Sequence, residues 1–379
     1  MFLKKITKIK SLGRFRNASV ARVVRALVDA LDYVTGDDWH FDFVEGGEAV
    51  TTAQSAMPYD EGPYVVMPCS DGLDSFLQWQ LLRHEEPNVT VLRVQTASRA
   101  IKQARVRAIN RAAQNARDRQ LRLPVTAHYG HHPEPSYRTR TFLFFCMAAL
   151  AAAKTGTRRV VVGENGIGAL GPSLLPHGDE CPHRTTHPAF TRRIAAFINT
   201  LLGAVLSFEH PQQFRTKGQV LTHALRYDVT GWELTNSCVR DARAGLGDQL
   251  CGVCSGCLLR RTALLAAGCS ESGFYWQDLS ASTLATCRPD FGRPHDLENP
   301  EDIMRHAAHD MSELASIARL DPGHRVLQSA AWELADGDVG RCHGIATDIH
   351  GLIRTHACEW EALRHAYSGA SLLALETVR

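Results

Sequence analysis

The chain lacks a long hydrophobic run, because no window approaches the roughly 18 consecutive apolar residues that a membrane-spanning helix needs. The opening segment, MFLKKITKIKSLGRFR, also lacks the apolar core of a secretory signal. We therefore expect a soluble protein that works in the cytoplasm and has no membrane partner.

An excess of charge of one sign is also missing. Lysine and arginine total 42 against 40 acidic residues, which gives a net charge of +2. This balance gives no global reason to expect a nucleic acid as partner, so such binding would need a local patch. Internal repeats and low-complexity runs are absent as well, which excludes fibrous and disordered classes.

The 379 residues are 44% hydrophobic and 22% charged, which is enough to bury a sizeable core. The length predicts two domains, or one domain with large insertions. We divide the chain into an N-terminal extension, an α/β domain that includes a cysteine module at 238–257, and a helical C-terminal region. The expected boundaries are 1–60, 61–280 and 281–379.

From residue 64 onward, short apolar strands alternate with helical patterns, which is typical of an α/β protein with a parallel sheet covered on both faces. The predicted strands are 38–44, 64–68, 89–94, 125–128 and 160–163. The predicted helices are 18–33, 75–83, 99–121, 141–154, 189–206 and 217–226. A loose loop is expected from 163 to about 187, and further helices beyond 280.

A glycine turn follows the strand at 64–68, and a helix follows the turn. Its residues are Ser70, Asp71, Gly72, Leu73, Asp74 and Ser75. A helix N-terminus presents free amides and the positive end of a dipole, which suits a pyrophosphate, and the serine hydroxyls can add hydrogen bonds. Asp74 could cap the helix or help to hold Mg²⁺. The alternative is an ordinary turn and N-cap, but the position after the first strand of a βα series favours ligand binding.

Four of the eleven cysteines are crowded together at Cys238, Cys251, Cys254 and Cys257. Two-residue spacings bring thiolates to one side of a turn, so we predict a metal site, with structural Zn²⁺ favoured. Arg240, Arg260 and Arg261 are near enough in sequence to offset the thiolate charge. An iron–sulfur cluster also accepts closely spaced cysteines, and unligated buried cysteines are the remaining alternative.

Two weaker signals lie after the strand at 160–163. Glu164 and Asn165 follow that strand directly, where α/β sheets gather functional groups, so ligand contact is favoured over a solvated loop. Cys181, His183 and His187 could form a second metal cluster, although unliganded loop residues are the favoured interpretation.

A basic segment occupies the predicted helix at 99–121 and its end. Its cations are Arg99, Lys102, Arg105, Arg107, Arg111, Arg117, Arg119 and Arg122, with Asp118 as the one acid. The bases spread around the helix, so a solvated face is favoured over a nucleic-acid contact.

The turn at 70–75 resembles the SGGxDS pyrophosphate loop of the PP-loop ATP pyrophosphatases, which adenylate a carboxylate or carbonyl and release pyrophosphate. It departs at Asp71, where the family has a glycine. The run from Cys251 to Arg260 matches the CGxCxxCxxR pattern of the 7-cyano-7-deazaguanine synthase (QueC) family. This resemblance covers about residues 64–268 and implies an adenine nucleotide alpha hydrolase-like fold.

Two departures refine the resemblance. Arg138-Thr-Arg140-Thr141 stands where the family has an Arg-Asn pair, and the family's Pro-Asp-Cys-Arg stretch is not visible after residue 163. These features are more similar to the divergent QueC-like proteins of bacterial anti-phage operons.

The resemblance implies a ligase that uses ATP and Mg²⁺ to activate a carboxylate, expected to be 7-carboxy-7-deazaguanine, for attack by ammonia or an amino group of a protein. It implies that Asp74, Ser75 and Arg138 are catalytic and that residues 70–75, Glu164 and Asn165 contact the nucleotide. A partner subunit from the same operon is a further expectation. The alternatives are a tRNA-thiolating PP-loop enzyme and a non-catalytic scaffold.

Overall fold

The computed structural model describes residues 5–11, 17–45, 62–97, 118–124, 138–175, 181–239, 250–270, 275, 279, 300–367 and 373. The strands are β1 (Lys5–Ser11), β2 (Trp39–Glu45), β3 (Tyr64–Pro68), β4 (Thr90–Ala97), β5 (Arg119–Pro124), β6 (Arg159–Val161) and β7 (Ser207–Glu209). The helices are α1 (Asn17–Thr35), α2 (Leu73–Glu85), α3 (Arg140–Thr155), α4 (Gly166–Leu174), α5 (Pro188–Leu202), α6 (Lys217–Leu225), α7 (Ser255–Ala266), α8 (Pro300–Ser316), α9 (Arg325–Leu334) and α10 (Val339–Ala366).

The central sheet has five strands in the order β5-β4-β3-β6-β7. Every pairing between neighbouring strands in it is parallel, so the predicted α/β class with a parallel sheet is confirmed. The chain moves outward from β3 to β5 and then returns to β6 on the other side of β3. This reversal between β3 and β6 makes a switch point, and ligands of open α/β sheets bind at the carboxyl ends of the strands there.

The alternation of side chains along β3 explains the two covered faces of the sheet. Tyr64 and Val66 pack in a core with residues of α1, α3 and α5. Val65 and Met67 point to the opposite face and pack with residues of α2, α6 and α7. Both faces are buried, as the short apolar strands predict.

The segments before and after the central domain pack against its helices and its cysteine module. Helix α1 contributes Val23, Leu27 and Leu31 to the core that contains α5, and β1 pairs with β2 in a separate parallel ribbon. The C-terminal helices α8 and α10 share one apolar cluster with the cysteine module, and α8, α9 and α10 share another with α4. The domain boundaries given above remain predictions.

Two sequence-based assignments need correction. Arg119 begins strand β5, so the predicted helix at 99–121 is wrong at its end, and Arg119 and Arg122 lie on a strand. Pairing of β5 with β4 along its whole length overrides the helical pattern. Residues 98–117 and the predicted strand at 125–128 lie outside the described residues. The expected loop after residue 163 contains α4, because Asn165 caps a helix there.

In the described part of the chain, no helix combines the length and apolar character needed to cross a membrane.

Candidate functional site

The turn after β3 brings two serines together at the N-terminus of α2. The Ser70 and Ser75 hydroxyl oxygens lie 3.1 Å apart, and the backbone amide of Ser70 donates to Ser75 Oγ at 3.3 Å. The Gly72 amide donates to Ser70 Oγ at 3.1 Å. Helix α2 has Gly72 at its N-cap position and no side-chain cap, so its first turn offers amide donors to an anion.

Asp74 is not a helix cap, and this corrects one expectation. Its Oδ2 pairs with Lys217 Nζ at 2.8 Å, and its Oδ1 accepts a hydrogen bond from Asn165 Nδ2 at 3.0 Å. Lys217 is only 5% exposed and Asn165 only 1% exposed. The carboxylate therefore joins three elements at the switch point: α2, the residues after β6, and the start of α6.

Asn165 holds the segment after β6 in place through both the oxygen and the nitrogen of its side-chain amide. Its Oδ1 caps α4 by accepting from the amides of Ile167 and Gly168 at 3.0 and 3.1 Å. Its Nδ2 donates to Glu164 Oε1 at 2.9 Å as well as to Asp74. The orientation of the side-chain amide follows from this network.

Burial and, to a lesser extent, the negative charge of Asp74 raise the pKa of Glu164 to about 8, whereas Lys217 opposes the shift. Two carboxyl groups thus share one lysine. Near neutral pH Glu164 holds a proton, so the site has one carboxylate and one ammonium group.

Sequence reasoning missed Lys217. It is the first residue of α6, where Thr216 and Gln219 form a capping box. The capping pattern T-K-G-Q marks a helix start, yet nothing local shows that this start lies against a turn far back in the chain. Only the sheet topology brings α6 to the carboxyl end of β3.

Arg138 has a different neighbour from the one expected. Its Nη1 donates to the backbone carbonyl of Thr35, at the end of α1, over 3.1 Å. Arg140 lies over the ring of Phe144 at 5.7 Å. The described contacts of these two arginines are therefore with α1 and α3.

The four cysteines Cys238, Cys251, Cys254 and Cys257 meet as the sequence predicts. All four sulfur atoms lie within 4.8 Å of one another, and all four residues are buried. The Cys251–Cys257 and Cys238–Cys254 sulfur pairs are 3.7 and 3.9 Å apart. Hydrogen bonding with Cys238 lowers the pKa of Cys254 and raises that of Cys257. The group could bind a metal ion.

The cysteine module also contacts the turn after β3. The amide of Asn236 donates to the backbone carbonyl of Asp71 at 2.8 Å, and Asn236 Oδ1 accepts from the amide of Cys238 at 2.8 Å. Arg260 of α7 is fully buried and donates to the carbonyls of Trp232 and Thr235. Arg260 thus anchors the segment that leads to the first cysteine.

Cys181 and His187, which the sequence favours as unliganded, have other contacts. His187 is the N-cap of α5, and its Nδ1 accepts from the Ala189 amide at 3.1 Å and lies 2.9 Å from the Tyr33 hydroxyl. Cys181 Sγ contacts the Pro182 carbonyl. Within the described ranges, the four cysteines at 238–257 are the one group of three or more ligands close enough to hold a metal.

No family model matches this chain, and no curated protein matches it. Among solved structures it is similar to the U34-tRNA thiolase NcsA from Methanococcus maripaludis with its [4Fe-4S] cluster. The identity is 12% and the TM-score 0.29, over 75% of this chain and 92% of that chain. A likeness this distant carries no argument about activity.

Proposed function

We propose that the protein is an ATP-dependent ligase that adenylates a carboxylate at the switch point between β3 and β6. The observation that carries this proposal is the uncapped N-terminus of α2, with two serine hydroxyls and the buried Lys217–Asp74 pair beside it. Amides, hydroxyls and an ammonium group are the donors that a triphosphate needs.

Each residue has a role in this proposal. The turn at 70–75 holds the leaving pyrophosphate through the hydroxyls of Ser70 and Ser75 and the backbone amides of the first turn of α2. Asp74 and Asn165 hold Lys217 in place to neutralise developing phosphate charge, while Mg²⁺ enters with the nucleotide. The carboxylate oxygen of the substrate attacks the α-phosphorus and pyrophosphate leaves. An amine nitrogen then attacks the acyl carbon and AMP leaves.

The substrate and the setting rest on the resemblance to QueC-like proteins. We take the carboxylate to be 7-carboxy-7-deazaguanine, and the acceptor to be ammonia or an amino group of a protein. A role in anti-phage defence, together with a partner subunit, belongs to the same proposal.

The metal in the cysteine module is zinc, in a structural role. Four sulfur atoms about 2.3 Å from one zinc ion lie roughly 3.8 Å apart in a tetrahedron, close to the separations found here. A cubane iron–sulfur cluster places each thiolate on a different iron and spreads them further apart. Four thiolates leave no open position, so the module supports the fold and not the reaction.

The test is pyrophosphate release from ATP by the purified protein, with and without 7-carboxy-7-deazaguanine. The wild type should release pyrophosphate only when the acid is present. The Asp74→Asn variant should lose most of this activity, because it cannot pair with Lys217, while Asp348→Asn on the exposed face of α10 should not.

Two other outcomes would replace the proposal. Turnover that requires tRNA and a sulfur donor would favour the thiolating enzyme. The scaffold would be favoured if ATP is not consumed with any of these substrates and Asp74→Asn keeps full activity in the cell. Circular dichroism and zinc content would first establish that the variant is folded.

A further inference from the structure

Helix α10 reaches the proposed nucleotide site at two glycines. A methyl group on Gly166 would lie 2.7 Å from Leu352 Cδ2, and one on Gly218 would lie 2.5 Å from Glu359 Oε1. Leu352 and Glu359 are two turns apart, so they project from one face of α10. Each glycine is in the first turn of a helix, Gly166 in α4 and Gly218 in α6.

These two helix starts carry the residues that hold Asp74. Asn165 directly precedes Gly166, and Lys217 directly precedes Gly218. One face of α10 therefore contacts both helix starts that carry the partners of Asp74. At Gly166 a methyl group would also meet the backbone carbonyl of Gln213, and at Gly218 it would have to displace the Glu359 carboxylate.

The contact with α6 runs through a polar chain. The Thr216 hydroxyl donates to Glu359 Oε1 at 2.7 Å, while its oxygen accepts from the Gln219 amide at 3.1 Å. The side chain of Gln219 in turn accepts from the Thr216 amide at 3.0 Å. Glu359 thus orients the hydroxyl of Thr216, which caps α6 and directly precedes Lys217.

We propose that Glu359 is a positioning residue, which fixes the start of α6 so that Lys217 Nζ stays on Asp74. The use of that lysine for ATP rests on the proposed function, but its placement does not. The C-terminal helical region is then part of the site, although its sequence carries no motif that indicates chemistry.

Glu359→Gln should leave Lys217 paired with Asp74, because the amide oxygen of glutamine can accept from Thr216 in the same way. Glu359→Ala should weaken this pairing, because it removes the acceptor and leaves space beside Gly218. Glu361, two residues on, provides a matched control since its side chain is 70% exposed and pairs with Arg364 at the surface.

The experiment measures how fast Lys217 reacts with an amine-labelling reagent, site by site, by mass spectrometry. Exposed Lys154 in each sample is the internal reference. In the wild type, Lys217 should be strongly protected. Glu359→Ala should raise its labelling rate by about tenfold or more, as expected when a buried ion pair opens locally. Glu359→Gln and Glu361→Ala should label like the wild type.

Equal labelling of Lys217 in Glu359→Ala and the wild type would overturn the inference. So would fast labelling in Glu359→Gln, since the acceptor is kept there. If Glu359→Ala does not fold, Gly218→Ala provides the second test, because its methyl group must displace the carboxylate and should also expose Lys217. None of these measurements uses ATP, so a failure of the proposed ligase activity would be seen separately, as missing pyrophosphate release.

Discussion

At the scale of single residues, three buried polar side chains cap helices and also bind a distant segment. Asn165, His187 and Thr216 each accept a backbone amide in the first turn of a helix, at α4, α5 and α6 respectively. Each also holds a second partner from a distant segment: Asp74, Tyr33 and Glu359. Replacing such a residue, or protonating it in the case of His187, therefore breaks two contacts at once: the helix cap and the contact with the distant segment.

His187 should make the protein sensitive to acid. Burial lowers its pKa to about 3, and Arg184, Arg192 and Arg193 add to the shift. The pKa is lower in the folded than in the unfolded state, so His187 alone should remove roughly 2 kcal/mol of unfolding free energy as the pH falls from 7.5 to 5. Burial also lowers the pKa values of His210 and His356, so these residues add to the loss. Urea titrations at pH 7.5 and 5 measure this loss.

The variant His187→Ser tests the assignment, because serine keeps an N-cap acceptor and does not titrate. It should reduce the difference in unfolding free energy between the two pH values by about 2 kcal/mol. His343→Ser, at an exposed position of α10, serves as the control and should leave that difference unchanged. An unchanged difference in His187→Ser would mean that other groups cause the acid sensitivity.

At the scale of elements, the site is built from helix starts at one edge of the sheet. The variant Asn165→Asp separates the role of this residue as the cap of α4 from its effect on the charge around Lys217. Aspartate still caps α4, but it loses the donors to Asp74 and Glu164 and adds a third carboxyl group beside a single lysine. We expect unfolding free energy to fall by about 2 kcal/mol or more, with helix content unchanged.

The control for this prediction is Asp338→Asn at the exposed N-cap of α10, where the same exchange in reverse should be nearly neutral. Chemical denaturation and far-ultraviolet circular dichroism give the two quantities. A neutral Asn165→Asp variant would show that the three side chains do not share a site.

The sequence predicts those parts of the site that lie close together in the chain. The turn at 70–75 and the cysteines at 238–257 are recognisable because their spacing is set by one turn each. Lys217 and Glu359 cannot be recognised in this way. The contact of Lys217 with Asp74 depends on the order of the strands, and the contact of Glu359 with Thr216 depends on how α10 packs against the start of α6. Strand β5 was misplaced for a similar reason: pairing with β4 decides it, and helical periodicity does not.

At the scale of the whole molecule, the cysteine module connects the C-terminal helices with the turn after β3. Its four cysteines share a core with Met304, Met311 and Trp360, from helices α8 and α10. Asn236 connects it to the turn after β3. Loss of the metal should therefore affect both the C-terminal helices and the proposed nucleotide site.

Cys254→Ser should remove about one zinc ion per chain and lower Tm by roughly 10 °C, because a structural metal contributes directly to folding free energy. Metal analysis and scanning calorimetry measure the two effects. Cys358→Ser, at an exposed position of α10, should keep both values. Iron with acid-labile sulfide, or unchanged metal content in Cys254→Ser, would contradict the zinc assignment.

The contact between Glu359 and the start of α6 has a consequence for synthesis of the chain. Translation runs from the N-terminus, so all five strands of the central sheet have emerged once Glu209 has left the ribosome. The acceptor for Thr216 emerges much later, near the end of α10. A nascent chain can therefore complete its sheet while Lys217 is still loosely held, and the proposed nucleotide site is complete only after the last long helix has docked.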